Sequence, residues 1–156
     1  MSDVICLRDL RPDEAGLVEQ VFEGLSAHSR YLRFHAPAPR LTASMRAALS
    51  DVRRGVTLVA SQDGTPLGIV RVIPTGPGQG ELAVEVVDAA QRRGVGTALI
   101  RAAVERAAAL QIKTIEGSVL RANRPMLKLL RSTFRDADYR YDGAAVHVYI
   151  PASIGR

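Results

Sequence analysis

Gln91, Arg92, Arg93, Gly94, Val95, Gly96 and Thr97 stand between an apolar run and a long alanine- and leucine-rich stretch, in "VVDAAQRRGVGTALIRAAVERAAAL", residues 86–110. A strand-to-helix turn that happens to contain glycines accounts for this spelling. So does an anion cradle. The first turn of a helix presents unpaired backbone N–H groups and a partial positive charge, glycines let an anion approach those amides, and Arg92 and Arg93 add charge beside them. The common phosphate loops do not fit. A Walker A loop ends in Gly-Lys-Ser/Thr, whereas Gly96 is followed by Thr97 with no lysine. A dinucleotide fingerprint needs a third glycine where Leu99 stands, and a βαβ unit that antiparallel strands upstream do not make.

Just before this stretch, "ELAVEVV" offers two carboxylates. In an extended strand Glu81, Ala83 and Glu85 share one face, and Leu82, Val84 and Val86 share the other. Either glutamate can serve as a proton acceptor on its face, and either reads equally as a solvated strand charge; Glu85 is taken as the latter. Arg30, Tyr31, Arg33 and Phe34 fall in a helical stretch, as an ordinary amphipathic surface or as one wall of a substrate site. His28, His35 and His147 are scattered without metal-ligand spacing or a nucleophile elbow, so no metal is expected. The only cysteine, Cys6, has no internal partner and reads as a buried free thiol in the first strand.

The elements that must hold these groups alternate in type. "DVICLRDL" at 3–10 reads as a strand, followed by a helix that opens at Pro12, Asp13 and Glu14 and carries Leu17, Val18, Val21, Phe22 and Leu25 at helical spacing. One or two short helices follow, interrupted by Pro37 and Pro39, with Thr42 as an N-cap. "VTLVAS" and "PLGIVRVIP" form a hairpin about Asp63-Gly64, and a loop "TGPGQG" leads to the strand "ELAVEVV". After the helix at 96–110 come the strand "KTIEGSVL", a short helix opened by Asn123 and Pro125, and a hairpin turning at Asp142-Gly143. This order predicts a mixed α/β (α+β) domain over residues 1–156: one largely antiparallel sheet flanked by helices.

Composition bounds the function. The chain has 156 residues, 47% hydrophobic and 24% charged, which suits one soluble domain. No apolar run approaches the ~20 residues that span a bilayer, and the N-terminus shows no leader, so the expected home is the cytoplasm. A net charge of +5 with only two lysines, Lys113 and Lys128, is an arginine-borne charge suited to an anionic ligand. Aromatic residues are 4% with no Trp, too few for stacking platforms, so nucleic acid is not an expected partner.

Gln91-Arg92-Arg93-Gly94-Val95-Gly96 resembles the acetyl-CoA signature of the GNAT superfamily of acetyltransferases, Gln/Arg-x-x-Gly-x-Gly/Ala, and the order of elements resembles that family's over nearly the whole chain. The resemblance implies that the loop amides bind the CoA pyrophosphate, that backbone groups around Val84 to Val86 bind the pantetheine arm, and that Asn123 lies near the cofactor. "SRYLRFHAPAPRLT", "GELAVEVVDAAQRRGVGTAL" and "VLRANRPMLKLL" look like the catalytic domain of bacterial Pat-type protein-lysine acetyltransferases, which makes Glu81 the general base. Many members use a tyrosine as general acid seven residues after the helix-opening asparagine; this chain has Leu130 there.

Chemistry supports a carboxylate independently. An amine with a pKa of about 10.4 is mostly protonated near neutrality and must lose a proton before it attacks a thioester. The reading is therefore an acetyl-CoA-dependent N-acetyltransferase acting on protein lysine, with Glu81 as base, Arg30, Tyr31, Arg33 and Phe34 at the acceptor site, and a homodimer allowed. Its rivals are a small-amine acetyltransferase and a non-catalytic acyl-CoA sensor.

Overall fold

Val56 to Ala60 are buried at every position, which requires cover on both faces of their strand. A computed structural model, describing residues 4–153, supplies that cover. Its elements are β1 (Cys6–Asp9), α1 (Ala15–Glu23), α2 (Ala27–Phe34), α3 (Ala43–Leu49), β2 (Val56–Gln62), β3 (Thr65–Gly76) and β4 (Gln79–Val86). After a 3-10 turn at Asp88–Ala90 follow α4 (Val95–Ala109), β5 (Thr114–Leu120), α5 (Arg124–Thr133), β6 (Asp138–Asp142) and β7 (Ala145–Pro151). Asp3, the expected start of the first strand, lies outside the described residues.

The strands form one sheet in the order β1-β2-β3-β4-β5-β7-β6, antiparallel everywhere except between β4 and β5. The expected mostly antiparallel α/β architecture is therefore the observed one. α4 packs Leu99, Ile100, Ala103 and Ala107, all fully buried, against the face bearing Leu58, Val70 and Val72. Burial of the two larger side chains contributes about 2 kcal/mol each. On the opposite face Val18 and Val21 of α1 meet Val59 and Ile69.

Local chemistry sets the element ends. Asp63 and Gly64 both have positive φ, 51° and 81°, the geometry of a two-residue hairpin turn. Thr42 accepts a hydrogen bond from the Met45 amide at 3.1 Å, and Asn123 accepts from the Met126 amide at 3.3 Å, capping α3 and α5. Two expectations are corrected. "TGPGQG" is mostly strand, because β3 runs to Gly76 and β4 starts at Gln79, leaving only Pro77 and Gly78 as the turn. Cys6 is exposed rather than buried, because β1 is an edge strand.

Candidate active site

β4 and β5 pair only over Gln79–Thr114, Gly80–Ile115 and Glu81–Glu116, although β4 continues to Val86 and β5 to Leu120. Beyond Glu81 the strands part and leave a fork. Successive residues of a strand turn their backbone groups to opposite edges. Since the Val87 amide donates to Leu67 of β3 and the Val86 carbonyl accepts from Gln91 Nε2 at 3.0 Å on the other edge, Leu82, Val84 and Val86 direct N–H and C=O into the fork. α2 lies over one side of the fork and α5 over the other.

Two cavities meet there. One, of about 310 Å3, is lined by Glu81 together with Phe34, His35, Ser118 and Leu130. The other, of about 380 Å3, runs to the glycine turn and is lined by Val86, Gln91, Arg92 and Gly96. Leu32, Arg33, Val84, Asn123 and Met126 line both, so these five form a common neck.

The glycine turn is shaped by its backbone. Gly94 caps α4 in the left-handed region at φ 81°, and a Cβ built there would meet nothing within 4 Å, so the space beside the first amides of α4 is open. Gly96 has a different task. A Cβ there would lie 3.3 Å from Leu129 Cδ1 and 3.7 Å from Val86 Cγ2, so its lack of a side chain sets how closely α4 approaches α5 and β4. Val95 is buried beneath the turn and Thr97 is half-buried in its first helical residues. Arg92 borders the cavity, while Arg93 points to the β2–β3 hairpin and donates to Gln62 Oε1 at 2.8 Å. Gln91 Nε2 also reaches Ser29 Oγ at 3.3 Å, tying turn, β4 and α2 together.

The α2 residues divide. Arg33 and Phe34 line the fork. Arg30 is turned inward, 4.0 Å from the Phe22 ring centroid, and donates to the carbonyls of Phe22 and Pro39 at 3.0 Å; Tyr31 is exposed; neither lines these two cavities. Glu81 is exposed at the mouth of its cavity.

Glu85 is the residue that sequence reasoning passed over. It is not a solvated charge: its side chain is only 7% exposed, and its carboxylate accepts from Arg33 Nε at 2.7 Å. Arg71, buried on β3, is its diagonal neighbour on the same face, since Ile69 faces Glu85 and Arg71 faces Ala83. Burial is the main influence on the Arg71 guanidinium and lowers its pKa; the Glu85 charge opposes this and the Arg33 charge adds to it. A signal existed, because a carboxylate embedded in "LAVEVV" with α1 and α2 to be packed above it has little water available.

Among the described residues no group of three or more His, Cys, Asp or Glu side chains gathers at metal-binding distance, and no helix is long and apolar enough to cross a membrane.

A strand fork beside a glycine turn that opens a helix is the arrangement of a known class. The family described as Acetyltransferase (GNAT) matches residues 20–134, and the chain belongs to that family. Among solved structures it is similar to the GNAT domain of S. lividans PAT, at 27% identity and TM-score 0.85, covering 93% of this chain and 89% of that one. It shares the fold of a phosphinothricin acetyltransferase from Sinorhizobium meliloti in complex with AcCoA, at 15% identity and TM-score 0.77, covering 96% and 89%. It also shares the fold of diaminobutyrate acetyltransferase EctA from Paenibacillus lautus, solved with L-2,4-diaminobutyric acid and coenzyme A, at 13% identity and TM-score 0.74, covering 97% and 96%.

Proposed function

We propose that this GNAT acetyltransferase, acting as one domain, transfers the acetyl group of acetyl-CoA to lysine side chains of proteins, with Glu81 as general base. The observation that carries the reading is the shared neck: the cavity holding Glu81 and the cavity holding the glycine turn communicate through Leu32, Arg33, Val84, Asn123 and Met126. A donor anchored by its phosphates at one end thereby presents its thioester to a carboxylate at the other.

In this reading the amides at Gly94 to Thr97, opened by the bare Gly94 and flanked by Gln91, Arg92 and Arg93, hold the pyrophosphate. Backbone groups of Val84 and Val86 pair with the pantetheine amides, as a strand edge pairs with any extended amide chain. Asn123 adds a polar contact. Glu81 takes the amine proton, directly or through one water, as the nitrogen bonds to the thioester carbonyl carbon; the C–S bond then breaks with its electron pair leaving on sulfur. Arg33 and Phe34 form the acceptor-side wall, with Arg30 and Tyr31 supporting α2.

A protein acceptor is favoured by two things. The first is the 27% identity to the S. lividans PAT domain, alongside the Pat-like segments of the sequence. The second is the open face beside Glu81, where Glu116 is half-buried and Ser118 exposed rather than enclosed. Incubation of the protein with labelled acetyl-CoA and a cell lysate, followed by mass spectrometry, tests the assignment. Label on defined protein lysines is the expected result. Label confined to small amines overturns the protein acceptor, and binding of acetyl-CoA without any transfer makes the domain a sensor.

A further inference from the structure

The neck between the two cavities contains one charged group. Of its lining, Leu32, Val84 and Met126 are apolar, Asn123 has its oxygen engaged in capping α5, and only Arg33 brings a full charge. The adjoining wall on α5 is Leu130, which has no proton to give. Arg33 is also fixed in place. Its Nε donates to Glu85 Oε1 at 2.7 Å, its guanidinium carbon lies 4.7 Å from the Phe34 ring centroid, and its side chain remains 21% exposed.

A single arginine neutralised by a single carboxylate would carry little field. Glu85, however, is not Arg33's alone: it accepts from Arg33 and lies diagonal to the buried Arg71 on β3, whose guanidinium also draws on its charge together with Asp51, so Arg33 is only partly neutralised. Arg71 is anchored away from the fork by donation from Nη2 to the Asp51 carbonyl at 3.1 Å, leaving Arg33 as the member that faces the fork. A preorganised positive charge stabilises developing negative charge better than water, which must reorient to do so.

We infer that Arg33, held by Glu85 at the neck of the fork, stabilises the negative charge that collects on the CoA sulfur as the thioester is cleaved, so that sulfur departs as a thiolate without a proton donor. This rests on the acetyl-transfer reading above and adds the group that receives the departing charge. In the balanced step the ammonium gives one proton to Glu81, which passes it to solvent; the N–C bond forms, the second nitrogen proton leaves by the same route, the C–S bond breaks with its electron pair going to sulfur, and the thiolate is protonated by solvent after release.

The test does not need an acceptor. The thiol of CoA bound to the intact protein is titrated by the ultraviolet absorbance of its thiolate, in the wild type, in Arg33→Gln and in Arg33→Lys. The expected result is a bound thiol that ionises at lower pH than free CoA in the wild type, a shift lost in Arg33→Gln and partly kept in Arg33→Lys. Turnover of Arg33→Gln should fall about a hundredfold, a loss in kcat over and above any rise in acceptor KM. A wild-type bound thiol that titrates as free CoA overturns the inference without any variant having to fold, and so does an Arg33→Gln protein with wild-type kcat. A shifted thiol in a protein that acetylates nothing sinks the transfer reading alone, whereas failure to bind CoA sinks both.

Discussion

Glu81 faces Glu116 in the last residue pair that joins β4 to β5 before the two strands separate. The carboxylate assigned as base is thus held by paired strand on one side and opens onto the fork on the other, rigid in its backbone and accessible at its tip. Such a position suits a group that must be exact about where it takes a proton.

Glu81→Gln keeps the shape of the side chain and removes its basicity. Turnover should fall by about 10²–10⁴ with CoA affinity nearly unchanged, and the deficit should narrow as pH rises toward the amine pKa of about 10.4, where the acceptor needs less help. A kcat profile for both proteins from pH 6 to 9, roughly the range in which lysine is mostly charged, decides it. Unchanged turnover moves the role away from Glu81.

At the glycine turn, Gly94→Asp fills the open space beside the α4 amides with a negative charge. CoA binding should weaken by more than about 2 kcal/mol; no neighbour lies within 4 Å of the new Cβ, but the left-handed φ of 81° costs the aspartate about 1 kcal/mol of backbone strain, so affinity is compared on protein shown to be folded. Calorimetry on the folded variant is the check, and undiminished affinity would remove the cradle.

The two arginines of the turn should separate by function. Arg92 borders the cavity, whereas Arg93 is turned to Gln62. Arg92→Ala is therefore expected to lower both the affinity for CoA and its sensitivity to salt, and Arg93→Ala to change each less. Binding isotherms at two ionic strengths distinguish them; equal effects would show that Arg93 swings back to the ligand.

Far from the fork, Glu14 ties the start of α1 to β1. Its carboxylate accepts both Arg8 Nη groups at 2.7 Å and the Arg11 amide at 2.8 Å. The Arg8 hydrogen bonds are the main cause of its pKa falling to about 2. Because the folded pKa lies below the unfolded one, the stabilisation is complete above the usual carboxylate range and is lost as pH falls through it toward about 2. Glu14→Gln should flatten the acid limb of a stability-against-pH curve. An unaltered limb would show that the pair does not persist in solution.

Removing Glu85 should be costlier. Glu85→Ala strands Arg33 without its ion-pair partner and removes one of the two carboxylate charges that balance the buried Arg71, and a loss of about 3 kcal/mol is expected in denaturant unfolding. A loss below about 1 kcal/mol, the ordinary worth of a surface pair, would mean that water replaces the carboxylate.

Much of this architecture was legible in the chain because its signals are local. Asp63-Gly64 and Asp142-Gly143 mark turns through the backbone freedom of their residues, and Thr42 and Asn123 mark helix starts through short side chains that reach an amide three residues on. The fork was not legible. Where β4 stops pairing with β5 depends on α2 and α5 approaching from different parts of the chain. The roles of Arg30 and Arg33 were inseparable for the same reason: they stand three apart on one helix, but only the packed structure sends one to Phe22 and the other to Glu85, 52 residues away.

The short parallel pairing of β4 with β5 makes the sheet two antiparallel blocks, β1-β2-β3-β4 and β5-β7-β6, stitched by a seam of three residue pairs. Each block is laced along its length, so the seam is where the sheet has least to hold it. Anything lodged in the fork touches both blocks and works as a splint across the seam. Its binding energy then becomes resistance to separating the two halves, and amides along Thr114 to Glu116 should exchange with solvent more slowly in the loaded protein than in the empty one.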